Sequence, residues 1–168
     1  KGSELQLTDA IHGMVKSKEH TVYSSVVEGW WDDTGTTEAV LRANHLVLEE
    51  LEPQNQGKIE EGAEVTGNVH IGKNTIIKKG SKIKGPCIIG ANCVIGSDVY
   101  IGPYTSIGNC STILSGEIES SVILGECKID VKHRIVDSLI GKHVRILSHA
   151  EEKKGFKFVL GENSEVTL

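Results

Sequence analysis

The sequence predicts a mainly β fold in which the chain turns a corner every six residues and lays each turn on the one below. Three observations predict it. Ten aliphatic residues recur at intervals of six without a slip: Ile59, Val65, Ile71, Ile77, Ile83, Ile89, Ile95, Ile101, Ile107 and Ile113. Four residues after each of the first nine stands a small or β-branched residue: Ala63, Val69, Thr75, Ser81, Cys87, Cys93, Val99, Thr105 and Ser111. Glycine directly follows the aliphatic residue at Gly72, Gly90, Gly96, Gly102 and Gly108, where a missing Cβ is expected to ease a tight corner. This spacing fits neither an amphipathic helix nor an alternating hairpin strand.

The elements are read in chain order. Residues 1–35 read as mixed α/β. Leu7-Thr8-Asp9-Ala10 opens a helix, with Thr8 or Asp9 placed to accept hydrogen bonds from the first free N–H groups. That helix is expected to run to about Ser17. Thr21 to Val27, rich in β-branched residues, predicts a strand leading into Gly29-Trp30-Trp31-Asp32-Asp33-Thr34-Gly35-Thr36.

Residues 36–57 form a linker. A helix is predicted over 36–52, capped by Thr36 or Thr37, with Glu38 in its first turn. Its expected apolar face is Val40, Ala43, Val47, Leu48 and Leu51. Pro53 stops it, and Gln54-Asn55-Gln56-Gly57 connects it onward.

Residues 58–168 carry the repeat. Three sixes make one coil, so Ile59, Ile77, Ile95 and Ile113 should stack in one column, Val65, Ile83 and Ile101 in a second, and Ile71, Ile89 and Ile107 in a third. Beyond Ile113 the spacing slips through Ile118, Ile123, Ile129, Ile135, Ile140 and Ile146, which reads as continued coils with shortened corners. Lys153 to Phe158 interrupts, and Leu160-Gly161 to Val166 reads as one further hexad acting as a cap. Five or six coils stacked at strand spacing make a prism roughly 25 Å tall.

Composition narrows the function. The net charge of −5 argues against a general nucleic-acid binder, which needs a basic stripe to displace counterions. Only two Trp, three Tyr and two Phe occur, as suits a narrow aliphatic interior. No apolar run approaches a membrane span and no signal-peptide pattern opens the chain, so a cytoplasmic location is expected. The four cysteines form no C-x-x-C pair, which argues against zinc. Cys87, Cys93 and Cys127 fall in the small-residue slot and read as buried thiols. Asn109-Cys110-Ser111 matches a glycosylation acceptor that nothing else in the sequence supports.

Residues 59–113 resemble the hexapeptide repeat of the left-handed parallel β-helix, and the resemblance implies that coil hand. Many proteins with this repeat transfer acetyl groups from coenzyme A and use a histidine as general base. His70, His133, His143 and His149 are the candidates; His70 and His143 occupy outward positions that also suit plain surface residues. Lys73, Lys78, Lys79, Lys82 and Lys84 concentrate charge on the early coils, suited to a phosphate or simply to a solvated sheet edge.

A second resemblance covers nearly the whole chain. Glu4-Leu5-Gln6-Leu7-Thr8-Asp9-Ala10-Ile11, then Trp31-Asp32-Asp33-Thr34-Gly35, then Glu38, Leu41, Asn44 and Leu48, then the hexads, follow the order of sugar-1-phosphate nucleotidylyltransferases. The long-type glucose-1-phosphate thymidylyltransferases are the nearest in pattern. The resemblance implies a fold of a left-handed β-helix preceded by a short α/β remnant of a nucleotidyltransferase domain and a linker helix. It implies that Asp33 is a ligand of catalytic Mg2+, that Trp31 and Gly35 border the sugar site, and that Asp32 is a neighbour. The implied substrates are a sugar 1-phosphate and a nucleoside triphosphate, and the β-helix is expected to build a homo-oligomer, trimer or dimer.

The nucleotide-binding loop G-x-G-T-R of that family occurs nowhere in these 168 residues. The chain opens on Lys1, and its one methionine is Met14. The expectation is therefore the carboxy-terminal part of a longer enzyme, inactive by itself. An acetyl-coenzyme A-dependent acyltransferase acting on an amino-sugar phosphate is the alternative.

Overall fold

The computed structural model describes residues 7–17, 19–29, 31, 33–148, 157–159 and 166, and falls into two units, Lys1–Trp31 and Asp32–Leu168. In the first, helix α1 spans Leu7–Ser17, with Asp9 in its first turn and Lys16 in its last, each at the end of the helix dipole that favours it. Leu7, Ile11, Met14 and Val15 share one face of α1, yet none is buried. Residues 21–27, expected as a strand, form none and are exposed throughout. A strand persists by pairing, and no strand among the described residues pairs with this segment.

The second unit begins with helix α2, Thr37–Glu49. Thr36 is its N-cap, its hydroxyl accepting from the Ala39 N–H at 3.2 Å. Beyond it the chain winds into a three-faced prism of parallel strands, an architecture in which each coil hydrogen-bonds to the next.

The three predicted columns are present. On the first face Ile59 pairs with Ile77, Ile77 with Ile95, Ile95 with Ile113, Ile113 with Ile129 and Ile129 with Ile146. Val65, Ile83, Ile101, Ile118 and Ile135 stack on the second face. Ile71, Ile89, Ile107, Ile123 and Ile140 stack on the third. The residues after Ile113 thus rejoin the columns, as the shortened-corner reading requires. Shortening shows as continuity: strands Thr112–Glu119 and Lys128–Val136 run through a corner that earlier coils break into two strands, with register shifts around Ser115. Ile77, Ile89, Ile95, Ile101, Ile113, Ile118 and Ile129 are completely buried, so each column is a dry aliphatic rod. Burying one such side chain contributes roughly 1.5–3 kcal/mol.

The corners follow one rule. A residue in the left-handed backbone region precedes the small inward residue at Asn74, Gly80, Asn92, Asp98, Tyr104 and Cys110, and again at Ser120, Glu126, Asp137 and His143. The small residue then turns inward, and where it is Thr, Ser or Cys it satisfies polar atoms of the corner. Thr75 Oγ1 donates to the Gly90 carbonyl at 2.6 Å and accepts from the Cys93 N–H at 2.9 Å. Ser81 Oγ donates to the Gly96 carbonyl at 2.6 Å. Among the described residues no buried side-chain polar atom lacks a partner.

The glycines after the aliphatic residues act differently from the expectation. Gly72, Gly90, Gly96, Gly102 and Gly108 do not take up the left-handed conformation. Their role is clearance between coils: a Cβ on Gly72 would lie 2.6 Å from the Ala91 nitrogen, and one on Gly108 2.6 Å from the Gly125 nitrogen.

At the far end Lys157–Val159 pairs antiparallel with Arg145–Leu147. This antiparallel strand departs from the parallel stack, in keeping with the interruption expected at Lys153 to Phe158. The hexad expected at Leu160-Gly161 lies outside the described residues apart from Val166, which is exposed.

Replacing Ile95 by Ala is expected to cost about 2–5 kcal/mol, because rigid coils above and below cannot close on the cavity. Gly108→Ala should also lower the unfolding midpoint, since backbone must move to admit one methyl group. Urea unfolding followed by circular dichroism measures both; an unchanged midpoint in either would contradict the packing described.

Candidate functional site on helix α2 and its leading loop

Asp33 and Gly35 lie together in the loop that leads into α2. Both are exposed, and a Cβ on Gly35 would sit 3.5 Å from Asp33 Oδ1, in ordinary contact with that carboxylate. Trp31 is exposed and belongs to the other unit. Trp30 and Asp32 lie outside the described residues. No group of three His, Cys, Asp or Glu side chains converges into a metal site among the described residues. Among the described residues of this loop, Asp33 is the carboxylate on offer. One protein carboxylate suits magnesium, which retains waters and takes its other ligands from phosphate oxygens.

Helix α2 is seated on the prism by polar contacts that the sequence pattern did not reveal. Ala39 and Leu48 are the buried residues of α2, whereas Val47, expected on the packed face, is exposed. Asn44 Nδ2 donates to the Tyr104 carbonyl at 2.8 Å, and Asn44 Oδ1 accepts from the Ser106 hydroxyl. The His45 and Tyr104 rings stack with centroids 4.2 Å apart and an angle of 22° between their planes. The Tyr104 hydroxyl reaches Glu49 at 3.4 Å. A signal for Tyr104 does exist in the sequence. Its position in the hexad is filled by Asn74, Gly80, Pro86, Asn92 and Asp98 in earlier coils, and Tyr104 is the bulkiest side chain that takes positive φ there.

The candidate histidines do not gather. His70 is half-buried on the third face, its strand between those of Gln54 and Ile88. His133 is exposed on a late coil. His143 is exposed at a corner, and its Nδ1 lies 3.2 Å from Glu126 Oε2 of the coil below. His149 lies outside the described residues. Lys82 stands in register with Glu64, and the backbone N–H of Lys79 donates to Glu60 Oε2 at 3.1 Å.

The cysteines occupy the slots expected of them. Cys87, Cys93 and Cys127 are buried in the core, Cys110 is exposed at a corner, and all four are free. Burial pushes the Cys87 thiol up to about 12, and burial likewise raises Cys93 and Cys127. The glycosylation pattern is structurally occupied. Asn109 Oδ1 accepts from the Ala91 N–H at 2.7 Å, and Ser111 is fully buried.

A β-helix prism preceded by a seated helix and an exposed D-T-G loop defines the class by its fold: a repeat domain entered through α2. The chain belongs to the family described as the GMPPB C-terminal domain, whose family profile matches residues 83–167. Over 98% of its length it is 47% identical to the low-salt glycan biosynthesis nucleotidyltransferase of Haloferax volcanii, covering 46% of that protein. It is 39% identical, over 98% of its length and 46% of the relative's, to a glucose-1-phosphate thymidylyltransferase of Streptomyces antibioticus. A bifunctional sugar-1-phosphate nucleotidylyltransferase/acetyltransferase of Sulfurisphaera tokodaii is 38% identical over 84% of the chain and 35% of its own length. The chain spans about half the length of the first curated relatives it matches. Nearly the whole chain is thus similar to a part of proteins that are named nucleotidyltransferases. No helix among the described residues is long and apolar enough to cross a membrane.

The buried thiols carry a signed expectation. The folded Cys87 stays neutral up to about pH 12, while in the unfolded chain it ionises near its ordinary value of 9.0. Unfolding is therefore favoured progressively as pH rises from about 9 to 12. The unfolding midpoint should fall across that interval, and Cys87→Ala should flatten part of the fall; an identical slope in the variant would contradict the burial argument. With a thiol reagent at pH 8, Cys110 should react at once and the other three only at the rate of unfolding.

Proposed function

We propose that this chain is the carboxy-terminal part of an enzyme that joins a sugar 1-phosphate to a nucleoside triphosphate, releasing pyrophosphate. Glucose 1-phosphate and dTTP are the substrates the reading favours. The observation that carries it is the exposed Asp33 in a D-T-G loop, held four residues ahead of a helix docked on the prism, in a chain matched along its whole length by such enzymes. The attacking phosphate oxygen and the triphosphate are both anionic. Bound magnesium supplies charge neutralisation between them, and Asp33 is the residue of this chain that would hold it.

Asp33 in this reading presents one carboxylate oxygen to the cation, with Gly35 beside it. Trp31 offers a broad apolar face of the kind that lines sugar sites. The G-x-G-T-R loop that cradles a triphosphate is absent from the sequence, so the 168 residues alone are inactive. The prism's part is support, through oligomerisation or regulation.

A second reading has its own observation. His143 and Glu126 form an exposed imidazole–carboxylate pair on the prism edge, and a relative is named as an acetyltransferase as well. A histidine oriented by a carboxylate can take a proton from an attacking amine.

One chimera separates the readings: this chain in place of the matching half of the Streptomyces antibioticus enzyme. It should release pyrophosphate from dTTP and glucose 1-phosphate, the isolated chain should not, and Asp33→Asn should cost the chimera about 10²-fold or more, the scale of losing a charge-stabilising group. A folded chimera without turnover, or an active isolated chain, would contradict the proposal. Acetyl transfer from acetyl-coenzyme A to glucosamine 1-phosphate by the isolated chain, lost in His143→Ala, would favour the second reading instead.

A further inference from the structure

The metal reading gives the prism a supporting part and leaves Asn44, Tyr104 and Ser106 without a function. Their geometry is more specific than support demands. Asn44 spends both ends of its amide on the prism: Nδ2 donates to the Tyr104 carbonyl at 2.8 Å, and Oδ1 accepts from the Ser106 hydroxyl. A side-chain amide used at both ends fixes rotation as well as position. The Tyr104 carbonyl is presented by a backbone at φ 58°, a conformation that a bulky residue seldom adopts. Asn, Gly or Asp fills that place in most of the coils before it, and Pro86 fills it directly beneath. The ring that this conformation projects stacks on His45, one residue beyond Asn44. A less suitable corner residue is thus tolerated where its ring and carbonyl meet the helix.

The helix carries that position to its other end. Asn44 lies two turns into α2, and the first turn is closed by the Thr36 cap and by the Val40 N–H donating to the Thr36 carbonyl at 3.1 Å. Asp33 stands three residues before the cap. A helix transmits displacement as a stiff rod, so unseating Asn44 moves the loop that bears the carboxylate.

We propose that Asn44 and Tyr104 are positioning residues that register α2 on the prism and thereby place Asp33 for the metal; this rests on the reading of Asp33 as its ligand. Displacing a reacting group by about 1 Å can cost on the order of 10²-fold in rate. The prism is then a ruler for the active centre, and its third face is where the setting is read.

The most informative substitution is Tyr104→Gly. Glycine suits φ 58° and preserves the corner, so a merely structural role predicts an unchanged or raised melting temperature and unchanged turnover. The positioning role predicts a prism of undiminished stability with faster amide exchange in α2 of the isolated chain. In the active chimera it predicts kcat lowered about tenfold or more, a higher Mg2+ concentration for half-maximal rate, and KM for glucose 1-phosphate little changed. Asn44→Ala should act in the same way. Tyr104→Phe, which keeps ring and carbonyl, should restore the rate to within about threefold. If Asp33→Asn leaves the rate untouched, the metal reading itself fails. If Asp33→Asn abolishes turnover while Tyr104→Gly and Asn44→Ala loosen α2 without changing kcat or the Mg2+ requirement, the metal reading stands and the positioning proposal falls. Unchanged exchange in α2 in both variants also overturns it.

Discussion

Everything in the second unit depends on one constraint: each aliphatic residue must lie directly over the residue of the same column in the coil below. The interior is only as wide as three such columns, so a side chain out of register has no alternative cavity to enter. Corners must therefore recur at a fixed place in every coil. That requirement selects at most corners a left-handed residue followed by a small one, and at several of them the small residue's hydroxyl or thiol closes the corner onto the next coil. Thr75 on Gly90 and Cys93 on Gly108, the latter at 3.3 Å, are successive instances of this arrangement. Interiors built in this way are dry, and a cysteine serves there as a small apolar residue rather than as a nucleophile.

How far the sequence discloses this structure depends on the range of the interaction. The columns were legible because a six-residue period acts through nearest coils and writes itself directly into residue type. The Thr36 cap was legible because it is local. The strand expected at 21–27 was not realised because a ladder needs a partner that β-branched residues cannot announce. The glycines after Ile71, Ile89 and Ile107 were noticed for a sound reason, but the contact that selects them comes from the next coil and not from their own φ. The antiparallel pairing of Lys157–Val159 has no periodic signature, and the sequence shows it as a break in the repeat at Lys153 to Phe158.

The candidate site divides along the same line. Asp33 and Gly35 were found through a contiguous motif, and the structure keeps them together in one exposed loop. Asn44 was noticed as part of that motif, but its partners lie 60 and 62 residues away. Only Tyr104, the bulkiest residue at positive φ in its corner position, left a trace of that long-range contact. The histidines illustrate the converse: residue type nominated four, and the described ones are distributed over separate coils.

The central claim is that coil register governs this fold, and deletion of whole and partial coils tests it most directly. Register on the first face recurs after eighteen residues, from Ile59 to Ile77 to Ile95. Removing residues 78–95 deletes one complete coil and returns every later column to its place. The account predicts a folded protein with one cooperative thermal transition at a modestly lower temperature. Removing only residues 90–95 moves every later residue to a different face of the prism relative to the coils before it, and should abolish cooperative unfolding. If the six-residue deletion melts as cooperatively as the eighteen-residue one, register is not what holds the prism together.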